Sequence, residues 1–287
     1  MKKIHVGFLL SYDYELLKQS IPPVYEDSDR IFLARDKELR TWKGQTFSID
    51  PSFYDWLKAF DVDGKIEIYE DDFYVPEMST LENDTRERTM LSEKMGIGNW
   101  LIQVDSDEYF IDFKKFVRDL RQYDSYLDNP EKHKIQIFAF WLIIYKYTEH
   151  GILYIDKPQK SVFATNYPNY KNARRTNERA IYVDSLVLHE SVARTESELR
   201  FKLENWSHNV DVNKNFLDKW ISVNENNYQS MSDFYYIEPE RWKRLSYFPT
   251  KKIEEIKNFV AGAKYLQLSA RFIFFKNFGQ WFKFLFK

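Results

Sequence analysis

In the stretch NWLIQVDSDEYF, residues 99–110, a strand-like apolar run leads directly into three carboxylates, Asp105, Asp107 and Glu108. Asp105 and Asp107 are two positions apart, so in an extended chain their side chains project to one side and can share a ligand. Two close, unpaired carboxylates repel, and one stays protonated unless a cation lies between them. A hard divalent ion, Mg²⁺ or Mn²⁺, resolves the conflict, above all when a diphosphate supplies further oxygens. The plain alternative is an acidic turn exposed to water. Upstream, Arg88, Leu91 and Met95 fall at helical spacing on one stripe. A charge among core positions needs an anion, and a phosphate near the strand end would supply one. Pairing with Glu87 or Asp84 would also satisfy it.

The elements that must position these groups are read from periodicity and punctuation. IHVGFLL, residues 4–10, predicts a strand, DYELLKQSI a helix, and DRIFLAR, residues 29–35, a second strand with Asp36 just beyond it. Asp50 followed by Pro51 predicts a capped helix start over DPSFYDWLKAF, and KIEIYE a strand. A helix is expected from about Asp84 to Met95, stopped by Gly96. Then come the strand 100–104, a helix over DFKKFVRDLRQY and the long apolar run at 134–147. This alternation predicts an α/β fold with a mainly parallel sheet and helices on both faces. Ligands of such sheets sit beyond the carboxyl ends of the strands, which is where the DSDE turn falls. Residues from about 150 to 235, rich in Asn, Arg, Tyr and Trp, are expected to form later sheet elements and substrate-facing loops.

Composition narrows the chemistry. The chain has 287 residues, net charge -2, five histidines and no cysteine. Thiolate zinc sites, disulfides and cysteine nucleophiles are therefore excluded. No global basic field points to nucleic acid. With eight glycines there is neither a P-loop nor a dinucleotide fingerprint, and no serine-hydrolase elbow. A two-carboxylate glycosidase would need neither a strand-end Asp-x-Asp nor a diphosphate-binding arginine.

RERTMLSEKMGIGNWLIQVDSDEYF resembles the helix, strand and Asp-x-Asp segment of GT-A-fold glycosyltransferases, in particular bacterial family-2-like enzymes that build lipopolysaccharide or capsule. The resemblance spans roughly residues 1–210 and rests most on 84–110. It implies a Rossmann-like GT-A catalytic domain and a nucleotide-diphosphate-sugar donor. It also implies that Asp105 and Asp107 hold a Mn²⁺ or Mg²⁺ ion and the diphosphate or donor ribose, with Arg88 at the diphosphate or nucleotide. Asp36 matches the acidic residue that ends the family's second strand near the nucleotide. The first strand has LLSYDY where the family has a Pro-x-Tyr-Asn turn, so nucleotide contacts there would fall to Ser11, Tyr12 and Asp13. His189 and His208 compete for the later metal-ligand position, and imidazole favours Mn²⁺ over Mg²⁺. If the enzyme inverts the anomeric centre, a carboxylate must take the acceptor's proton; Glu190 is the first candidate and Glu149 the second. Arg174, Arg175 and Arg179 would neutralise the leaving diphosphate, or else form a solvated loop.

The C-terminal RFIFFKNFGQWFKFLFK, residues 271–287, has eight aromatic and four basic residues and no acid. As a helix it places Lys276, Gln280, Lys283 and Lys287 on one side and Phe272, Phe275, Phe278 and Phe282 on the other. That pattern suits an anionic membrane surface, while a helix docked on the catalytic domain or a second subunit has the same period. The expected organisation is a catalytic domain over 1–240 and a helical extension over 241–287. The expected activity is metal-dependent transfer of a sugar to a hydroxyl of a glycan or lipid-linked glycan, in the bacterial cytoplasm at the inner face of the plasma membrane. The competing reading from another class is a non-catalytic, membrane-peripheral module of an envelope assembly complex.

Overall fold

The computed structural model describes residues 2–206 and 209–282. It is a mixed α/β protein built on a nine-stranded sheet. The strands are β1 (Ile4–Leu9), β2 (Arg30–Asp36), β3 (Ile66–Asp71), β4 (Trp100–Val104), β5 (Glu108–Phe110), β6 (Ile135–Tyr147), β7 (Ile152–Thr165), β8 (Arg179–His189) and β9 (Ser246–Phe248). Their order is β3-β2-β1-β4-β7-β6-β8-β5, with β9 paired to β7. The expectation of a mainly parallel sheet holds only for β3-β2-β1-β4. Beyond it β4–β7, β6–β7, β8–β5 and β7–β9 are antiparallel and β6–β8 parallel. The reason lies at residues 148–151, where Thr148 N–H bonds to the Gly151 carbonyl at 2.9 Å and folds β6 straight back into β7. Only a crossover makes neighbouring strands parallel, and four residues cannot build one.

Helices α1 (Leu17–Ser20), α2 (Pro22–Tyr25), α3 (Pro51–Phe60), α4 (Thr80–Met95), α5 (Phe113–Arg121), α6 (Glu196–Asn205), α7 (Phe216–Ser222), α8 (Ile253–Gly262) and α9 (Ala270–Trp281) complete the fold. The helix expected over residues 13–21 is instead a 3₁₀ turn at Tyr14–Leu16 followed by α1. Pro22 and Pro23 then open a fresh helix, as prolines without N–H groups suit a first turn better than an interior. α3 begins as expected, with the Asp50 side chain accepting from Ser52 N–H. α4 begins four residues before the expected Asp84, because Ser79 and Glu82 form a reciprocal capping box.

The parallel strands are covered on both faces. Val6 and Phe8 join Phe53, Leu57, Phe113 and Phe116 in one fully apolar layer. On the other face Leu9, Phe32 and Leu101 meet Leu91 and Met95 of α4. Burying each such side chain contributes about 1.5–3 kcal/mol. Gly7 is what lets α4 lie so close to β1, since a Cβ there would meet Met95 Sδ at 2.8 Å and Leu91 Cδ2 at 2.9 Å. That close approach sets the height of Arg88 above the sheet. Among the described residues no helix is long and apolar enough to cross a membrane.

Candidate active site

β1 and β4 pair in parallel with Phe8 opposite Val104, and β2 flanks β1 with Ala34 opposite Leu9. Their carboxyl ends therefore open on one edge, bringing residues 9–13, Asp36 and residues 105–107 to a common cavity. The cavity holds about 370 Å³, within the range of small-molecule sites. Residues 105–107 are not extended, as their spacing suggests. Glu108 N–H bonds to the Asp105 carbonyl at 3.0 Å and closes a turn. Both aspartates line the cavity nonetheless, because the turn rather than the pleat aims them.

Glu108 holds that turn. Fully buried, it accepts from Asp105 N–H at 2.8 Å, Trp141 Nε1 at 2.7 Å and Arg174 Nη1 at 2.8 Å, and also from Arg174 Nη2. β5 then pairs with β8 so that Glu108 stands opposite His189. This pairing draws the end of β8 to the acidic turn across more than seventy residues of sequence.

Each aspartate is gripped through one oxygen. Asp105 Oδ1 accepts from Arg88 Nη2 at 2.8 Å, and Arg88 Nε is anchored on Asp84 Oδ1 at 2.5 Å. Asp107 Oδ2 accepts from Arg194 Nη2 and Lys202 Nζ, both at 2.7 Å. Burial works to raise both aspartates, but Arg88 and Arg174 outweigh it at Asp105 and hold that carboxyl below its ordinary value. At Asp107 Lys202, His189 and Arg194 outweigh burial by more, and the group lies well below the ordinary range. Burial pushes Asp13, Asp84 and Glu190 upward, and Glu87 to about 8.

The residues expected to act are thus placed as follows. Ser11, Asp13, Asp36, Arg88, Asp105, Asp107 and His189 line the cavity. Both oxygens of Asp36 are already engaged, by Arg40 and by the N–H groups of Glu38, Arg40, Phe73 and Tyr74. Arg88 meets the predicted need for an anion within the chain, on Asp84 and Asp105. Arg174 and Arg175 line the cavity, whereas Arg179 bonds to Tyr126 Oη at 3.1 Å outside it. Glu190 lies behind the wall, accepting from Tyr147 Oη at 2.5 Å and Arg194 Nη1 at 2.9 Å. Glu149 sits on the exposed β6–β7 turn beside His150 and Glu225. His208 lies outside the described residues.

Arg194 and Lys202 are site residues that the sequence reading missed. Lys202 carried the same signal as Arg88, a charge three residues from the buried Leu199 and three before the buried Asn205 on α6. Thr195 and Glu198 cap that helix by a second reciprocal box. Asn205 and Thr41 join it to the loop after β2 through a 2.7 Å hydrogen bond.

Among the described residues the group of three His, Asp or Glu side chains whose ligand atoms lie within 4.8 Å of one another is Glu149, His150 and Glu225 on the exposed turn, so Asp105, Asp107 and His189 do not form a preassembled ion site, although their chemistry would suit one. Asp105 Oδ2 has no bonded partner among the described residues, and Asp107 Oδ1 faces only His189 Nε2 at 3.5 Å. His189 is stacked at 4.5 Å on Trp141, and its Nδ1 is buried without a hydrogen-bond partner. Two carboxylate oxygens and an imidazole are ligands suited to Mn²⁺.

No family model matches this chain, and no curated protein matches it. Among solved structures it is similar to the crystal structure of S. aureus TarS 1–349, at 13% identity and a TM-score of 0.30. That match covers 49% of this chain and 36% of the other, little more than a third of its length.

Proposed function

We propose that this protein is a glycosyltransferase that binds a nucleotide-diphosphate sugar, with a divalent ion, at residues 105–107 and passes the sugar to a glycan hydroxyl. The observation that carries the reading is the acidic turn: Asp105 and Asp107 both line the cavity, and each is held by cations through one oxygen. Among the lining residues seven cations, Arg40, Arg88, Lys160, Arg174, Arg175, Lys202 and Arg241, are interleaved with six carboxylates, Asp13, Asp36, Asp84, Glu87, Asp105 and Asp107. Such a lining offers cations to an anionic diphosphate, and a divalent ion entering with it would compensate the two close aspartates. Asp105 and Asp107 would hold the ion, joined by His189. When bound, it would neutralise charge on the diphosphate as the sugar leaves.

The chain's own residues do the remainder. Arg88 and Glu108 hold Asp105 in place from either side, so its free oxygen is presented without reorganisation. Lys202 and Arg175 bring positive charge to the cavity lining, where they would stabilise the departing diphosphate. Trp141, Trp206 and Tyr236 form apolar wall on which a sugar ring can rest.

A panel of nucleotide-diphosphate sugars, each with Mn²⁺ or with chelator, tests the reading by thermal shift. Saturation at a hundred times Kd stabilises a folded protein by about 2.7 kcal/mol. One nucleotide should raise the melting temperature only when Mn²⁺ is present, and Asp105→Asn should remove the effect. If no nucleotide shifts the melting temperature under either condition, the proposal is wrong.

A further inference from the structure

From Ile256 to Lys287 the sequence carries six basic residues and no acid, in a chain whose net charge is -2. α9 lies within this segment and has two distinct faces. One is keyed to the sheet: Asn277 accepts from Tyr182 N–H at 2.8 Å and donates to the Tyr182 carbonyl at 2.9 Å. Ile273 packs on the cluster formed by Phe140, Tyr182 and Leu186, and Phe272 lies 5.8 Å from the Phe140 ring. The opposite face carries Phe274, Phe275, Phe278 and Phe282, exposed by 52%, 56%, 41% and 44%. At 100° per residue these four and Arg271 fall within about one third of the helix circumference, facing away from Asn277. Arg271 sits over the Phe275 ring at 5.7 Å and Lys276 over Phe272 at 5.4 Å.

We propose that α9 is a pre-docked foot which seats the protein on an anionic lipid surface. Three phenylalanine rings on one side of a twelve-residue helix, with Phe282 just past its end, form an apolar patch, and basic residues set beside them match lipid phosphates. The same face pressed against a second copy of itself would set Arg271 and Lys276 against like charges, which disfavours a symmetric dimer. The sequence pattern left open whether this helix docks on the protein or meets the membrane; the two faces let it do both. Because β8 runs from Tyr182, clasped by Asn277, to His189 at the cavity, the foot and the cavity share one strand. Membrane contact would then fix how the cavity stands over the surface. The inference is independent of the chemistry assigned to the cavity.

The full chain is tested by sedimentation with vesicles of phosphatidylcholine and of phosphatidylcholine mixed equally with phosphatidylglycerol. Binding is expected only to the mixed vesicles and weakens with salt, whose Debye length is about 8 Å at physiological ionic strength. Each basic residue near such a surface is worth about 1 kcal/mol, so Arg271→Gln with Lys276→Gln should weaken binding by roughly 25-fold. Combined Phe274→Gln, Phe275→Gln and Phe278→Gln should abolish it while leaving the melting temperature near that of the parent, since none of the three clasps β8. Any of four results overturns the proposal: no binding by the parent chain, equal binding to both vesicles, full binding by the triple variant, or a parent dimer that the triple variant dissociates.

Discussion

Asp107→Asn separates a structural carboxylate from an ornamental one. The side chain is 4% exposed, and its Oδ2 takes charge-assisted hydrogen bonds from Arg194 and Lys202, each at 2.7 Å. Asparagine keeps a carbonyl oxygen there, but neutral acceptors bond a cation about half as strongly. Removing one partner of a buried ion pair typically costs about 3–5 kcal/mol. Arg194 retains Glu190 at 2.9 Å, and Lys202 retains the Ser191 carbonyl at 2.8 Å, so the lower end of that range applies. About 3 kcal/mol corresponds to a fall in melting temperature of roughly 5 °C in a chain of this size. Asp105→Asn should cost less, about 1–2 kcal/mol, because Asp105 is 30% exposed and Arg88 keeps Asp84. The assay is thermal unfolding of both variants in chelator, so that no metal affinity contributes. If Asp107→Asn melts within a degree of the parent, Arg194 and Lys202 do not depend on that carboxylate and the ion-pair network drawn around the acidic turn is wrong.

Three further outcomes follow from single contacts. Burial raises Glu87 to about 8 against an unfolded value near 4.3, so the unfolded chain ionises first and stability falls as pH rises between those values. Glu87→Gln should gain on the parent by up to about 4–5 kcal/mol between pH 5 and 8, read as a melting-temperature difference; a gap that does not widen with pH contradicts the assignment. Ser79→Ala breaks the α4 capping box and should cost about 1 kcal/mol in chemical denaturation, with no effect expected from a change at an uncapped surface serine. Gly151→Ala places a Cβ 2.2 Å from the Phe248 carbonyl and should lose roughly 1–3 kcal/mol as β9 is pushed off β7, visible in hydrogen exchange of Leu153.

Much of the fold is legible in the sequence because its signals are local. Asp50-Pro51 begins a helix because Asp50 accepts a capping hydrogen bond and Pro51 tolerates a missing N–H, and Gly96 ends one at a φ of 91°. The Asp-x-Asp turn is legible because carboxylates at the end of an apolar strand have few peaceful uses. Arg88 is legible as a charge on a core stripe, although the anion that answers it is Asp84 and Asp105 of the same chain. What the sequence could not decide depends on pairings between distant segments. A fourteen-residue β7 lies antiparallel between β4 and β6, and nothing local says which neighbours such an apolar strand will take. Lys202 reaches Asp107 across 95 positions, and Glu108 binds Arg174 across 66, because β8 closes on β5 and α6 follows it. Tertiary structure also withdrew Glu190 behind the cavity wall and left Glu149 on an open turn, two carboxylates equally plausible by residue type. Which charges face a ligand and which face each other is a property of burial and register, and both are settled only when the whole sheet closes.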